Sequence, residues 1–229
     1  MKIAGIAKLT LLDFPEKLAC TVFLSGCNFR CPFCHNSSLA SGDVEDIGEE
    51  AFFEFLESRR GKLEGVCITG GEPTLNDGLV EFAKRIKQLG YLVKLDTNGT
   101  SPEMLKRMCE SGACDYVAMD IKNSESKYEM SAGCEGLSFD LIKQSIEYLI
   151  GSNIEYEFRT TVVGGLHTEQ DIVHISRMIR GAKRYFLQCY KESADVLAPN
   201  GLYPFSEEEM RRMCELSRSI LGVTELRGV

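Results

Sequence analysis

The sequence lacks an excess of positive charge. Its 229 residues include 26 lysines and arginines against 34 aspartates and glutamates, so the net charge is −8 and the pI is near 5.1. A protein that binds nucleic acid or an anionic membrane surface needs basic residues to neutralise phosphates or lipid headgroups. We therefore expect neither nucleic acid nor a membrane among its partners.

Long hydrophobic runs are also missing. No stretch reaches the roughly 20 apolar residues that span a bilayer, and residues 1–18 lack the apolar region and cleavage site of a signal peptide. No linker or low-complexity stretch interrupts the chain, and 44% of its residues are apolar, which suffices for one sizeable core. These features predict a cytoplasmic protein with a single domain over residues 1–229.

Cysteine, in contrast, is abundant, with ten residues. Because the cytoplasm is reducing, they indicate a metal site and buried free thiols rather than a disulfide framework. Three of them, Cys27, Cys31 and Cys34, are close together in the chain. The others are scattered, and we predict that they are core thiols: Cys20, Cys67, Cys109, Cys114, Cys134, Cys189 and Cys214.

Short β-rich runs alternate with amphipathic helical patterns, which is typical of parallel βα units. The predicted strands are 19–25, 65–69, 92–96, 116–120, 155–162 and 184–188, and the predicted helices are 48–60, 78–89, 102–110, 140–150, 169–179 and 206–221. A complete eight-unit barrel usually needs about 250 residues. Six units therefore predict an α/β fold of the partial (β/α)6 TIM-like barrel type, open on one side, with its chemistry at the carboxyl ends of the strands.

The three clustered cysteines directly follow the first predicted strand, with the spacing C-x3-C-x2-C. Soft thiolates suit zinc or iron–sulfur chemistry. A structural zinc site normally has four ligands, and the only neighbour available as a fourth, His35, adjoins Cys34 and would have to fold back onto the same ion. Three thiolates on a 4Fe-4S cluster leave one iron without a protein ligand, so a small molecule can bind there.

This motif, including Phe33 just before the third cysteine, resembles that of the radical S-adenosylmethionine (SAM) superfamily. The resemblance implies a single 4Fe-4S cluster on Cys27, Cys31 and Cys34, whose open iron chelates the methionine part of SAM. A second motif, Gly70-Gly71-Glu72-Pro73, follows the second predicted strand. By itself it reads as an ordinary glycine-rich turn, but it resembles the family loop that binds the methionine amino group.

The next two predicted strands end in Asp-Thr-Asn-Gly at 96–99 and Ala-Met-Asp-Ile-Lys at 118–122. Asn-Gly also suits a simple turn, and we expect both aspartates to be paired because unpaired charges are costly to bury. Both segments resemble the glycyl-radical-activating branch of the superfamily. The resemblance implies SAM-side or monovalent-cation ligands (Na+ or K+) at Asp96, Thr97 and Asp120, and a contact from Lys122 to SAM or to a peptide substrate.

Arg159 and Thr161, in the fifth predicted strand, align loosely with SAM-contacting positions of that branch, although buried or ion-paired roles fit them equally well. One departure concerns the end of the sixth strand. Where pyruvate formate-lyase activase has a histidine, this chain has Gln188-Cys189-Tyr190. The residues that contact the adenosine part of SAM are therefore left open.

The stretch from Leu12 to Asn36 resembles anaerobic ribonucleoside-triphosphate reductase activating proteins, and residues 34–36 and 96–99 are also similar to pyruvate formate-lyase activase. Only residues 37–46 separate the cysteine motif from the next predicted helix, so no auxiliary cluster fits there. The resemblance implies an anaerobic oxidoreductase that takes an electron from flavodoxin or ferredoxin, cleaves SAM to a 5′-deoxyadenosyl radical and installs a glycyl radical on a partner enzyme. No side chain is needed as a catalytic acid or base.

Three alternatives stay open at this point. The chain could activate another glycyl radical enzyme, of the pyruvate formate-lyase type. It could be a radical SAM enzyme that acts on a small molecule or a peptide. It could also be a zinc-binding scaffold without catalysis.

Overall fold

The computed structural model describes residues 1–42, 44–193 and 195–228. Contacts within the chain divide it into two compact units. The first comprises Met1–Asn28 and Ser38–Ala118, and the second comprises Phe29–Ser37 and Met119–Val229.

The strands are hydrogen-bonded in chain order. They are β1 (Ile3–Thr10), β2 (Ala19–Leu24), β3 (Gly65–Gly70), β4 (Leu92–Thr97), β5 (Tyr116–Asp120), β6 (Glu155–Val162), β7 (Tyr185–Cys189) and β8 (Thr224–Arg227). In the first unit β1 is antiparallel to β2, while β2, β3 and β4 are parallel. In the second unit β6, β7 and β8 are parallel.

Helices occupy most of the connections. They are α1 (Ser37–Ser41), α2 (Glu49–Ser58), α3 (Leu79–Gln88), α4 (Pro102–Glu110), α5 (Tyr128–Ala132), α6 (Phe139–Gly151), α7 (Glu169–Met178) and α8 (Glu207–Leu221). Two short 3-10 helices, Pro73–Leu75 and Glu125–Lys127, follow β3 and β5. No described helix is long and apolar enough to cross a membrane.

The core of the first unit follows from its sequence pattern. The first four residues of β2 and of β3 are buried without a break, as expected for parallel strands covered on both faces. Helix α3 buries Leu79, Phe82, Ala83 and Ile86, which share one face at helical spacing. Polar residues on its other face leave this helix with a single apolar side to pack.

Two helices of the second unit, α7 and α8, begin with a side-chain cap. The Ser206 side chain accepts a hydrogen bond from the backbone N–H of Glu209, whose own side chain accepts from the N–H of Ser206, so the N-cap of the last helix is a capping box. This confirms the helix start predicted at Ser206. Thr168 and Asp171 form the same arrangement at the start of α7.

We expect the stability of the second unit to depend on pH through Asp171. Burial raises the pKa of its carboxyl, but hydrogen bonds from Lys127, Thr168 and Ser124 lower it to about 2, below the ordinary value of 3.8. Its contribution to stability is therefore present above about pH 4 and is lost as the pH falls through the folded pKa. We expect Asp171→Asn to lower the free energy of unfolding by about 2 kcal/mol at pH 7 and by progressively less between about pH 4 and pH 2.

Urea unfolding across this pH range measures the effect on the apo protein. The matched control is Asp140→Asn, because Asp140 lies in the first turn of α6 with its side chain 82% exposed. A difference from the wild type that stays constant between pH 7 and pH 2 would contradict the assignment to Asp171.

All six predicted parallel strands are present as β2 to β7, each within one residue of its predicted ends. The sequence did not indicate β1 or β8. Strand β1 contains Gly5 and is mostly half-exposed, and β8 has only four residues, so neither carries the continuous apolar run of the other strands.

The prediction of core thiols was correct for Cys20, Cys67, Cys114 and Cys214. It was wrong for the other three scattered cysteines, which are half-buried: Cys109, Cys134 and Cys189. Cys109 lies near the end of α4, Cys134 follows α5 and Cys189 is the last residue of β7. All three therefore lie at or just beyond the end of an element, where packing encloses a side chain less completely. Helix α1 lies in the predicted 37–46 connection, in which Asp43 is outside the described residues.

Candidate cofactor site

The three clustered cysteines follow β2, as predicted. Cys31 is buried, and Cys27 and Cys34 are half-buried. The backbone N–H of Cys34 donates a hydrogen bond of 3.0 Å to the carbonyl of Cys31, which closes a turn between these two residues. The motif therefore offers two partly accessible thiols and one that is already enclosed.

In the first unit, the glycine-rich loop after β3 lies directly against the segment that leads into Cys27. The N–H groups of Gly71 and Glu72 donate hydrogen bonds of 2.8 Å to the carbonyls of Leu24 and Gly26. A Cβ atom at Gly71 would overlap the Gly26 carbonyl, so only glycine permits this approach.

Glu72 ties this loop to the one that follows β4. Its buried carboxylate accepts hydrogen bonds from the Thr74 N–H (3.1 Å), the Thr74 hydroxyl (2.5 Å), the Thr97 hydroxyl (2.8 Å) and the Asn98 N–H (2.6 Å). Burial raises the pKa of Glu72 above its ordinary value, while hydrogen bonds from Thr74, Asn98 and Thr97 act in the opposite direction. Three of these donors bond to Oε1 and one to Oε2, so Oε2 retains acceptor capacity.

The residue after Cys27 joins the same network. Asn98 donates from its side chain to Asn28 (2.8 Å), and Asn28 donates to the Thr100 hydroxyl (2.9 Å). Asn28 was not among the predicted site residues, because its partners lie about 70 positions away in the chain. Through Asn98, the position of Asn28 depends on the carboxylate of Glu72.

Asp96 is paired within its own strand. Its carboxylate forms an ion pair with Lys94, whose side chain is almost fully buried. Lys94 was not among the predicted site residues, although residues two apart in a strand point to the same face. The expectation that Asp96 is not left unpaired is confirmed.

In the second unit, Asp120 lies between two cations, Arg159 at 2.8 Å and Lys122 at 3.0 Å. Burial raises the pKa of Asp120, but the charges of Arg159 and Lys122 hold it well below its ordinary value. Burial lowers the pKa of Lys122, but the neighbouring Asp120 carboxylate raises it above its ordinary value. The ion-paired role left open for Arg159 is present, and Thr161 lies half-buried on β6, in register with Gln188 of β7.

Lys122 also faces the cysteine motif. Its ammonium lies 6.0 Å from the centre of the buried Phe33 ring, and its charge interacts with Cys31. The carbonyl of Lys122 lies 2.8 Å from Nε2 of His167. The second unit therefore places a fixed positive charge beside the Cys31 thiol.

Two buried hydroxyls beside the motif lack a hydrogen-bond partner among the described residues. They belong to Ser25, two positions before Cys27, and to Tyr190, whose ring centre lies 5.7 Å from that of His35. An unpaired buried hydroxyl costs about 1–3 kcal/mol, and a bound group, ion or water commonly explains it. Each of these two hydroxyls is therefore available to hydrogen-bond a bound group.

No three His, Cys, Asp or Glu side chains in the described part of the chain are grouped as ligands of one metal ion. In a 4Fe-4S cluster each cysteine binds a different iron. The cysteine sulfurs that bind a cluster therefore lie farther apart from one another than the ligands of a single metal ion.

A family model described as the radical SAM superfamily matches residues 21–179 of this chain. A protein of Methanocaldococcus jannaschii assigned as a glycyl-radical enzyme activating enzyme is 30% identical, over 99% of this chain and 96% of the relative. The pyruvate formate-lyase-activating enzyme of Listeria monocytogenes is 33% identical, over 44% of this chain and 45% of that protein.

The fold is shared with solved structures. A radical SAM methyltransferase from Sphaerobacter thermophilus matches 96% of this chain and 68% of its own with a TM-score of 0.73, at 15% identity. This likeness confirms the predicted α/β partial-barrel fold.

The chain belongs to the radical SAM superfamily and is an enzyme of that class. Members of the family use a 4Fe-4S cluster and SAM. The sequence resemblance to the glycyl-radical-activating branch is confirmed by the relatives from Methanocaldococcus and Listeria.

Proposed function

We propose that the protein is an activase that installs a glycyl radical on a partner enzyme, with anaerobic ribonucleoside-triphosphate reductase as the first candidate. The observation that carries the activase assignment is the match to the Methanocaldococcus activating enzyme over nearly the full length of both chains. The choice of partner rests on the stretch from Leu12 to Asn36, which resembles the activating proteins of that reductase. We also propose that residues 1–229 form a single radical SAM domain.

Particular residues are proposed to hold each cofactor. Cys27, Cys31 and Cys34 would bind the 4Fe-4S cluster beside Phe33, and the Gly70–Pro73 loop would receive the amino group of SAM, with the remaining acceptor capacity of Glu72 Oε2 available to it. Hard carboxylate and hydroxyl oxygens suit a monovalent cation. The residues proposed around SAM and this cation are Asp96, Thr97, Asp120, Lys122, Arg159 and Thr161.

When bound, the cluster and SAM would supply methionine and a 5′-deoxyadenosyl radical, a cleavage that consumes one electron from flavodoxin or ferredoxin. A glycine Cα of the partner would donate a hydrogen atom to this chemistry and would be left as the glycyl radical, with 5′-deoxyadenosine as the other product. The chain's own residues bind and orient the cofactors and exclude water. The ion pairs of Asp120 and the hydrogen bonds of Glu72 hold side chains in place rather than transfer protons.

Electron paramagnetic resonance tests this function. The anaerobically reconstituted and reduced protein is mixed with SAM and separately with an anaerobic ribonucleotide reductase and a pyruvate formate-lyase from the same organism. We expect a glycyl doublet with the reductase and one methionine released per radical formed. A doublet only with the lyase would reassign the partner.

A control mixture without SAM should give no doublet. SAM cleavage without a doublet on either partner would instead favour a radical SAM enzyme that acts on a small molecule or a peptide.

A further inference from the structure

The loop between β7 and α8, residues 190–206, runs along the second half of the cysteine motif; Ala194 lies outside the described residues. The N–H of Ala198 donates a hydrogen bond of 2.9 Å to the carbonyl of Pro32, and the N–H of Leu197 donates one of 3.1 Å to the carbonyl of Cys34. The backbone of the second and third cysteines is thus held by residues more than 160 positions away.

Side chains strengthen the same contact. The rings of His35 and Tyr190 pack with their centres 5.7 Å apart, and Nδ1 of His35 lies 3.3 Å from the Ser193 hydroxyl. The Ser37 hydroxyl donates a hydrogen bond of 3.0 Å to the carbonyl of Asp195. The loop therefore contacts the chain on both sides of Cys34.

The loop is itself held at its far end. Gly164 and Tyr203 exchange backbone hydrogen bonds of 2.8 and 3.3 Å. A Cβ atom at Gly164 would overlap the Tyr203 ring in its present position, so glycine lets this exposed ring lie over the pairing. At the near end, the N–H of Tyr190 donates to the carbonyl of Val162 (3.3 Å). Both ends of the contacting stretch are therefore attached to residues that end or follow β6.

We infer that this loop is a positioning element for the cluster: it fixes the geometry of the Cys31–Cys34 half of the motif and shields it from water. The inference rests on the proposed cluster site. Four observations support it: two backbone hydrogen bonds, the His35 contacts, the attachment of the loop at both ends, and the buried Tyr190 hydroxyl. That hydroxyl has no partner in the described residues and so points to a bound group on this side of the motif.

The sharpest test compares Ala198→Pro with Ala198→Ser. Ala198 is exposed; proline there removes the N–H that bonds to Pro32 and places its Cδ against that carbonyl, whereas serine keeps the N–H. Because one hydrogen bond is lost, we expect the reconstituted Ala198→Pro variant to release iron to a chelator about 3- to 10-fold faster than the wild type. The serine variant should release iron at the wild-type rate.

A second pair tests the side-chain contact. His35→Ala removes both the Tyr190 packing and the Ser193 contact, whereas His35→Phe restores the ring. We expect faster iron release and a shifted cluster reduction potential in the alanine variant, with partial recovery in the phenylalanine variant. Thermal unfolding of each apo protein shows whether a variant still folds. If Ala198→Pro does not fold, the comparison of His35→Ala with His35→Phe tests the role of the loop.

The outcomes separate this inference from the proposed function. A wild-type protein that takes up no iron–sulfur cluster would overturn the proposed function itself. The wild type holding the cluster, while Ala198→Pro and His35→Ala both release iron at the wild-type rate, is a different outcome. If the reduction potential of the cluster is also unchanged, only the role of the loop is overturned.

Discussion

Alanine at Cys27, Cys31 or Cys34 is expected to abolish cluster binding. The wild type should hold about four irons per chain after anaerobic reconstitution, while each variant should hold fewer than about one and should lose SAM cleavage. The reason is that each of the three thiolates would bind its own iron, and the nearest other cysteine in the chain, Cys20, is buried in β2. Iron analysis and the visible absorbance of the reconstituted protein measure this directly.

The matched control is Cys109→Ala, because Cys109 is a half-buried cysteine on α4 that lies outside the motif. It should retain full iron content and SAM cleavage. SAM cleavage that persists in all three motif variants would rule out the cluster assignment. Tetrahedral zinc in the oxygen-protected wild type would do the same.

Glu72→Ala is expected to destabilise the apo protein by about 4 kcal/mol, because the buried hydroxyls of Thr74 and Thr97 and the N–H of Asn98 lose their acceptor. For a chain of this length the melting temperature should fall by about 10 °C. Since Asn98 also bonds to Asn28, the chain next to Cys27 should become more mobile. Denaturant unfolding of the apo protein gives the free energy.

Glu81→Ala provides the comparison, because Glu81 lies on α3 with its side chain 79% exposed and pairs only with Lys84 in the described residues. Such a surface pair contributes about 0–1 kcal/mol. Glu72→Gln keeps the shape but turns an amide NH2 towards N–H or O–H donors, so an intermediate loss is expected. A loss below about 1 kcal/mol for Glu72→Ala would show that these hydrogen bonds do not hold the two loops.

The parallel strands could be predicted because each is a short, continuously buried run bounded by turn residues. Strands β5 and β6 match their predicted ranges at both ends. Strand β1 was missed because an edge strand with half-exposed residues has no such run. Short α1 and α5 were missed for a similar reason, since five residues are too few to show helical periodicity.

Only those residues of the site that lie in local sequence motifs could be predicted. The order of residues around Cys27, Glu72, Asp96 and Asp120 was sufficient to propose their chemistry. The residues that contact them could not be predicted from these motifs. Lys94 was detectable from its spacing to Asp96, but Asn28 and Tyr190 lie in segments whose contacts depend on chain brought in from far away.

The sequence by itself determined the superfamily, the alternating βα architecture and the three cysteines, because these depend on residue type and on spacing over a few positions. Only the tertiary structure decided that Glu72 joins two loops and that the β7–α8 loop contacts Cys34. Such hydrogen bonds form between residues 25 to about 160 positions apart. Local residue patterns do not specify which distant backbone groups meet, because that depends on the packing of all the elements between them.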